Sequence, residues 1–177
     1  VTPSSLAALD ARSLTMQFGG LKAVSDFSLK IPQGAIYGLI GPNGAGKTTV
    51  FNMLTGVYAP TQGEITAYGH ALAGLKSYQI TKFGLARTFQ NIRLFKDLTV
   101  LDNLIISYDH HPDFKPSGIL ASVCKTRKVL KTESEKEDRA RVLLDFFKLS
   151  KRELSLAKNL PYGEQRRLEI ARAMATG

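Results

Sequence analysis

The chain has 177 residues, 44% of them hydrophobic and 22% charged, which fits one globular domain, or one domain that carries an inserted lobe. It has no signal-peptide pattern and no apolar run near the ~20 residues that a membrane-spanning helix needs, so we expect that it does not itself cross a membrane. A single cysteine, Cys124, excludes an internal disulfide. The net charge of +9 permits nucleic acid as a partner, but the basic residues are scattered and acidic residues follow the cluster at 125–131, so we expect no nucleic-acid partner.

Four segments have the patterns of β-strands. Residues 14–18 and 27–31 alternate apolar and polar side chains, as half-buried strands do, and Gly-rich or Pro-containing turns follow each. Residues 35–40 form a continuous apolar run, which predicts a central strand covered on both faces. A short fourth strand is predicted at 65–68, where Gly69 ends it.

Helices are predicted after the third strand and through the second half of the chain. The first runs from 47 to about 54, with Gly56 placed to end it. Thr99 and Asp102 have the spacing of a capping box at a helix start. The apolar faces predicted for the three later helices are Val100, Leu101, Leu104 and Ile105; Val142, Leu143, Phe146 and Phe147 within 130–147; and Leu168, Ile170, Ala171 and Met174 within 163–174. Between the first two of these helices, residues 110–117 predict a polar loop, whose His110–His111 pair is either a metal site or plain surface.

One loop matches the pattern G-x-x-x-x-G-K-[ST] at every fixed position. It lies between an apolar strand pattern and a helix pattern, as that motif requires, and it consists of Gly41, Pro42, Asn43, Gly44, Ala45, Gly46, Lys47 and Thr48. Glycines let successive backbone amides turn inward around phosphate groups, and the helix start adds positive potential. The alternative is an ordinary Gly-rich turn before a helix.

The loop predicts binding of ATP with Mg²⁺. Lys47 supplies a full positive charge to the β- and γ-phosphates, and the Thr48 hydroxyl is a candidate Mg²⁺ ligand. Thr49 is placed to bond a further phosphate oxygen. The motif alone leaves GTPases, kinases and helicases open as well.

Three further segments, 16–24, 87–95 and 159–173, narrow the choice. With the phosphate loop, they make the chain resemble ABC transporter ATPases, and within them the LivG-type subunits of branched-chain amino acid importers. The resemblance covers essentially every residue. It implies that Phe18 stacks on adenine and that Val24 packs nearby. Without the resemblance, Phe18 would be interpreted as a core residue.

The segment Arg87-Thr88-Phe89-Gln90 resembles the glutamine loop of the family. The resemblance implies that the Gln90 amide oxygen reaches Mg²⁺ and the attacking water, and that the loop relays the nucleotide state to a membrane subunit. Leu94, Phe95 and Leu98 are then candidate contacts with that subunit. The alternative is an exposed glutamine in a linker.

The third segment resembles the ABC signature, usually L-S-G-G-Q, and the helix that follows it. It implies nucleotide contact in trans, to ATP bound by a second subunit, by Leu160, Pro161, Tyr162, Gly163, Glu164 and Gln165. Pro161 and Tyr162 depart from the family pattern, and Pro161 has neither a hydroxyl nor an N–H. Phosphate contact would then depend on backbone amides near Gly163 and on the helix dipole. The alternative is a Pro–Gly turn before a surface helix.

The expected fold is α/β, a P-loop NTPase core with a mixed sheet and flanking helices, a β-rich N-terminal subdomain and an inserted helical lobe. We expect residues 1–83 to form the ATP-binding core, 84–160 the glutamine loop and helical subdomain, and 161–177 the signature and its helix. The family's Mg²⁺-binding aspartate, catalytic glutamate and switch histidine would follow Gly177, so we expect a C-terminally incomplete chain that is inactive alone and poorly stable.

The resemblance implies the ATP-hydrolysing subunit of a transporter, with branched-chain amino acid uptake as its task. Expected partners are a second ATPase subunit in a homodimer or a LivF-like heterodimer, transmembrane permease subunits and, indirectly, a periplasmic solute-binding protein. The expected location is the cytoplasmic face of the inner membrane. Alternatives are a non-transport ABC ATPase of DNA repair or translation, and a catalytically inactive nucleotide-binding module.

Overall fold

The computed structural model describes residues 7–89, 91–109, 111, 113–114 and 127–176. The interpretations given for Gln90, His110 and Cys124 lie outside the described residues, as does most of the loop at 110–117. The chain divides into two compact units, Val1–Leu85 and Ala86–Gly177, and each is described by itself.

A four-stranded antiparallel sheet forms the first unit's framework. Strands β1 (Ala7–Phe18) and β2 (Leu21–Pro32) make a hairpin around Gly19 and Gly20, which confirms the first two predicted strands and extends both. Strands β3 (Gln62–Ala67) and β4 (His70–Ala71) complete the order β2-β1-β3-β4. Tyr68, which the prediction placed in a strand, instead lies in the turn between β3 and β4, with a positive φ of 47°.

Helix α1 (Lys47–Leu54) packs on this sheet, with bounds as predicted. Val50, Met53 and Leu54 are buried in one cluster with apolar side chains of β1 to β3. Gly56 ends the helix at a positive φ of 68°, and its amide donates to the Met53 carbonyl, which confirms its capping role. A short helix α2 (Ser77–Ile80), continued by a 3₁₀ turn (Thr81–Phe83), closes the unit and adds buried Ile80 to the core.

The predicted central strand at 35–40 is wrong for this structure. These residues have no strand pairing, and Ile36, Tyr37 and Ile40 are 100%, 54% and 92% exposed. A central strand takes its hydrogen bonds and its cover from neighbours on both sides. None of the described strands lies beside this segment, so its apolar side chains stay uncovered.

In the second unit, helix α3 (Val100–Tyr108) begins at the predicted capping box. The Asp102 amide donates to Thr99 Oγ1 at 3.0 Å, and the Thr99 amide donates to Asp102 Oδ2 at 3.3 Å. The predicted apolar face is also confirmed, because Val100, Leu101 and Leu104 are buried and Ile105 packs against the same cluster.

The apolar stripe predicted for the second long helix, α4 (Arg127–Phe146), is half correct. Leu143 and Phe147, which follows the helix, pack against the core, whereas Val142 and Phe146 are each 73% exposed. The fully buried positions are instead Ala140 and Leu144, one turn apart. The sequence pattern pointed to the bulky side chains, whereas the position of closest packing is occupied by a small alanine.

Helix α5 (Tyr162–Met174) shows a similar shift of its buried face. Leu168 and Ala171 are fully buried as predicted, but Ile170 is 38% and Met174 54% exposed. Glu169, which was not among the residues predicted to face inward, is only 5% exposed. Two 3₁₀ turns, Ser150–Arg152 and Ala157–Asn159, connect α4 to α5.

Across the described part of the chain, no helix combines the length and the apolar character needed to span a bilayer.

Candidate functional site

The loop at 41–46 takes a shape that glycine makes possible. Gly44 and Gly46 have positive φ angles of 85° and 79°, a region in which other residues are strained. A Cβ added to Gly46 would lie 2.6 Å from the Ala23 carbonyl oxygen and 3.1 Å from the Val24 side chain. Position 46 therefore has no room for a side chain, because the loop passes directly over β2.

Val24 is buried beneath this loop, with 8% exposure. It belongs to the core cluster of the first unit, and its side chain would contact a Cβ added at Gly46. The structure thus places Val24 as a support of the loop, on the side that packs against the sheet.

The ammonium group of Lys47 is folded back over the start of the loop. Its Nζ donates to the carbonyl oxygens of Gly41 and Pro42, each at 2.6 Å. Neutral carbonyls neutralise no charge, so the full positive charge remains available at the mouth of the loop. Anionic oxygens would be stronger acceptors for the three N–H groups of this ammonium.

The amino end of α1 adds a second positive feature. The first amides of an α-helix have no carbonyl partner within the helix, and the helix dipole makes this end positive. The first turn of α1 has no acidic residue to neutralise it. Thr48 and Thr49 are the second and third residues of α1, and Thr48 is exposed while Thr49 is half-buried. Asn43 and Ala45 are exposed, and the Ala45 amide donates to the Pro42 carbonyl at 3.3 Å.

Phe18 stands at the end of β1 with 42% of its surface exposed. Its ring meets the ring of Tyr58 edge to face, with centroids 5.4 Å apart at 77°. The backbone of Tyr58 is held after α1 because its amide donates to the Asn52 carbonyl. Tyr58 is not among the predicted site residues, and its position four residues after the end of α1 is the only sequence signal for it.

The signature-like segment forms the start of α5. Pro161 is the N-cap, and its carbonyl accepts from the amides of Glu164 and Gln165 at 2.9 and 3.0 Å. The Gln165 side chain donates to the Leu160 carbonyl, and Leu160 itself is buried. The side chains of Leu160 and Gln165 therefore serve the fold of the segment.

Two residues at this helix start face outward. Tyr162 is 71% exposed, and a Cβ added to Gly163 would meet nothing within 4 Å. Glu164, in the first turn, forms long ion pairs of 3.7 Å with Arg152 and Arg167. An acidic side chain is favourable at this end because it complements the helix dipole.

Glu169 is a buried carboxylate that the sequence analysis did not single out. Its Oε1 accepts from the amides of Phe89 and Arg93, at 3.2 and 3.4 Å, and its Oε2 accepts from Arg166 at 2.5 Å. The available signal was an acidic residue with an arginine three residues away on each side in the same helix pattern.

The described residues contain no group of three or more His, Cys, Asp or Glu side chains that could hold a metal ion. The only oxygen donors that the sequence analysis assigned to a metal are Thr48 in the loop and Gln90, which lies outside the described residues.

The sequence profile of ABC transporters matches residues 24–177. The chain belongs to the ABC transporter family. It is 47% identical over 168 residues to the high-affinity branched-chain amino acid transport ATP-binding protein LivG of Salmonella typhimurium, a match that covers 95% of this chain and 65% of LivG. The corresponding protein BraF of Pseudomonas aeruginosa is 44% identical with the same coverage. The chain therefore spans about 65% of the length of these relatives.

Solved ABC structures share its fold. An ATP-binding cassette of an ABC transporter in its ADP conformation superimposes with a TM-score of 0.77 at 30% identity, over 96% of this chain and 65% of that one. A dimeric cassette in a post-hydrolysis state, bound to ADP and Pi, gives a TM-score of 0.70 at 25% identity, over 95% and 69%. These matches confirm the predicted α/β fold class.

Alanine at position 46 should disturb the loop more than alanine at position 44. Both substitutions place a side chain at positive φ, which costs about 1–2 kcal/mol, but only Gly46→Ala also collides with the Ala23 carbonyl. Hydrogen exchange of the α1 amides measures the local free energy of opening. We expect a larger loss for Gly46→Ala than for Gly44→Ala, and equal losses would contradict the close approach described here.

Proposed function

We propose that the loop at 41–49 binds the triphosphate of ATP, and that the intact protein hydrolyses ATP to drive uptake of a small solute. The observation that carries this proposal is the Lys47 ammonium, which lies on loop carbonyls beside the amino end of α1. The names of the LivG and BraF relatives support branched-chain amino acids as the solute. The cassette solved in its ADP conformation supports an adenine nucleotide as the ligand.

In this proposal, Lys47 exchanges the carbonyls of Gly41 and Pro42 for oxygens of the β- and γ-phosphates. The exchange is favourable because hydrogen bonds between charged groups are roughly twice as strong as neutral ones. Loop amides from Gly44 onward and the amino end of α1 surround the same phosphates. Catalysis is then mainly positioning and charge stabilisation, which suits phosphoryl transfer.

We assign Thr48 and Gln90 as the protein's ligands for Mg²⁺, and Thr49 as a further phosphate contact. Hydroxyl and amide oxygens are the hard donors that Mg²⁺ takes, and Thr48 is exposed at the loop. When bound, Mg²⁺ neutralises charge on the phosphate oxygens. Gln90 also orients the attacking water in this assignment.

The adenine base is proposed to stack on Phe18. The residue is 42% exposed, and its ring contacts Tyr58 edge to face. A base binds an aromatic face without requiring a hydrogen-bond pattern. Tyr58 would then set the orientation of the Phe18 ring, and Val24 would support the loop from below.

A second ATPase subunit, identical or LivF-like, would complete the site, with its ATP facing the start of α5. Helix geometry leaves the amides of Tyr162 and Gly163 without a partner inside α5, and the space over Gly163 is open. Pro161 cannot donate, so these two amides and the helix dipole would contact the γ-phosphate. The dimeric cassette bound to ADP and Pi supports the presence of a second subunit.

The remaining partners are proposed from the same family membership. Transmembrane permease subunits would contact the surface near Leu94, Phe95 and Leu98, of which Phe95 is 45% exposed. A periplasmic solute-binding protein would act indirectly, through the permease. The location proposed with these partners is the cytoplasmic face of the inner membrane.

Removing the Lys47 charge should weaken nucleotide binding. Each hydrogen bond to a charged group contributes about 1.5–3 kcal/mol, so Lys47→Ala should raise the Kd for Mg-ATP by about 10- to 100-fold. The matched control is Lys82→Ala, which removes one charge from an exposed position in the same unit. Equilibrium titration with a fluorescent ATP analogue measures both, and an unchanged Kd for Lys47→Ala would refute the assignment.

Substitutions in the Phe18–Tyr58 pair should weaken the binding of ATP but not the binding of tripolyphosphate. Phe18→Ala should weaken ATP binding by about tenfold, since stacking of a base contributes about 1–3 kcal/mol. Tyr58→Ala should weaken it by about 2- to 10-fold, from the loss of an aromatic pair of about 0.5–1.5 kcal/mol. Competition titrations with both ligands test this.

The control for this pair is Tyr58→Phe, which keeps the ring edge and should bind ATP as the native protein does. If Tyr58→Ala weakens tripolyphosphate as much as ATP, the effect comes from the loop and Tyr58 has no role at the base.

A further inference from the structure

Glu169 occupies a position that the proposed chemistry does not use. It lies in the middle of α5, is 5% exposed, and accepts through one oxygen from the amides of Phe89 and Arg93. These two amides come from positions immediately before and three residues after position 90. One side chain of the signature-like helix therefore holds the glutamine-loop backbone at two points.

Two arginines of the same helix hold the carbonyls at the same two points. Arg166 donates to the Phe89 carbonyl at 2.5 Å and also to Glu169 Oε2. Arg172 donates to the Arg93 carbonyl at 2.5 Å, and burial lowers the pKa of its guanidinium from the usual value. We call Arg166, Glu169 and Arg172 the anchor cluster.

Ring contacts reinforce the anchor cluster. The Arg93 guanidinium lies 4.0 Å from the centroid of the Phe89 ring, and that of Arg172 lies 4.6 Å from the Phe95 ring. The segment is thus bound to α5 through two backbone amides, two backbone carbonyls and the Phe95 ring, whereas the Arg93–Phe89 contact lies within the segment itself. A buried carboxylate that serves two amides and a guanidinium is costly to separate from any of them.

We propose that Glu169 is a positioning residue that makes the start of α5 and the backbone at Phe89 and Arg93 move as one piece. This inference rests on the proposed function. When α5 contacts the nucleotide of a second subunit, a shift of the helix then moves the glutamine loop directly. Phosphate contact that shifts the helix start would shift the Phe89 and Arg93 backbone with it. Loss of the carboxylate would leave nucleotide binding at 41–49 intact and impair the step that needs the loop in place.

The test uses Glu169→Gln in the full-length protein, with Glu135→Gln as the control. Glu135 is an exposed acid of α4 whose ion pair with Lys131 is long, so its substitution makes the same change of charge away from the loop. Hydrogen exchange should show the amides of Phe89 and Arg93 exchanging at least about tenfold faster in Glu169→Gln, with the α3 amides unchanged. The kcat for ATP should fall several-fold, while KM and the Kd for nucleotide stay within about twofold.

Three results would overturn the inference: unchanged exchange at Phe89 and Arg93, faster exchange with unchanged kcat, or a rise in KM alone. If Glu169→Gln does not fold, Arg166→Gln replaces it, because Arg166 is more exposed and bonds the Phe89 carbonyl directly. The same kcat loss is expected for it, with the same three contradictory results. A native protein that neither binds nor hydrolyses ATP would instead refute the proposed function, and the exchange result would still decide whether Glu169 holds the loop.

Discussion

The ammonium of Lys47 lies on two carbonyl oxygens at the start of its own loop, and the other features of the first unit support that geometry. The loop takes this shape because Gly46 lies against β2 with a positive φ angle, which glycine adopts freely. Val24 and the buried face of α1 fix the surface beneath it. A positive charge and a helix start meet at one place, where the described chain supplies no acidic residue in the first helical turn. That concentration of positive potential is the physical basis on which we propose a phosphate site there.

A different constraint organises the second unit. A buried carboxylate needs hydrogen-bond donors around it. Glu169 finds them in two amides and a guanidinium, and the helix that carries it begins with the signature-like segment. Pro161 and Gln165 make the start of that helix self-supporting, while Tyr162 and Gly163 remain open to the outside. The hydrogen bonds of this helix start are already made within the chain, so they hold its open face in place.

Local signals in the sequence were reliable where the chain itself supplies both partners of an interaction. The capping box at Thr99 and the bounds of α1 depend on residues three or four positions apart, and both are confirmed. The strand at 35–40 failed because pairing depends on distant neighbours, which an apolar run cannot reveal. Val142 and Glu169 show the same limit, since which face of a helix is buried depends on what packs against it. In the site, the pattern located the loop, but the long-range contacts of Tyr58 and Glu169 were not visible in it.

The most direct test of the account is a crystal structure of the protein with Mg²⁺ and a non-hydrolysable ATP analogue. The account predicts the triphosphate within the loop at 41–49, with Lys47 Nζ moved from the Gly41 and Pro42 carbonyls to phosphate oxygens within about 3 Å. A structure at saturating analogue in which Lys47 keeps both carbonyl bonds, and the phosphates lie elsewhere, would contradict it.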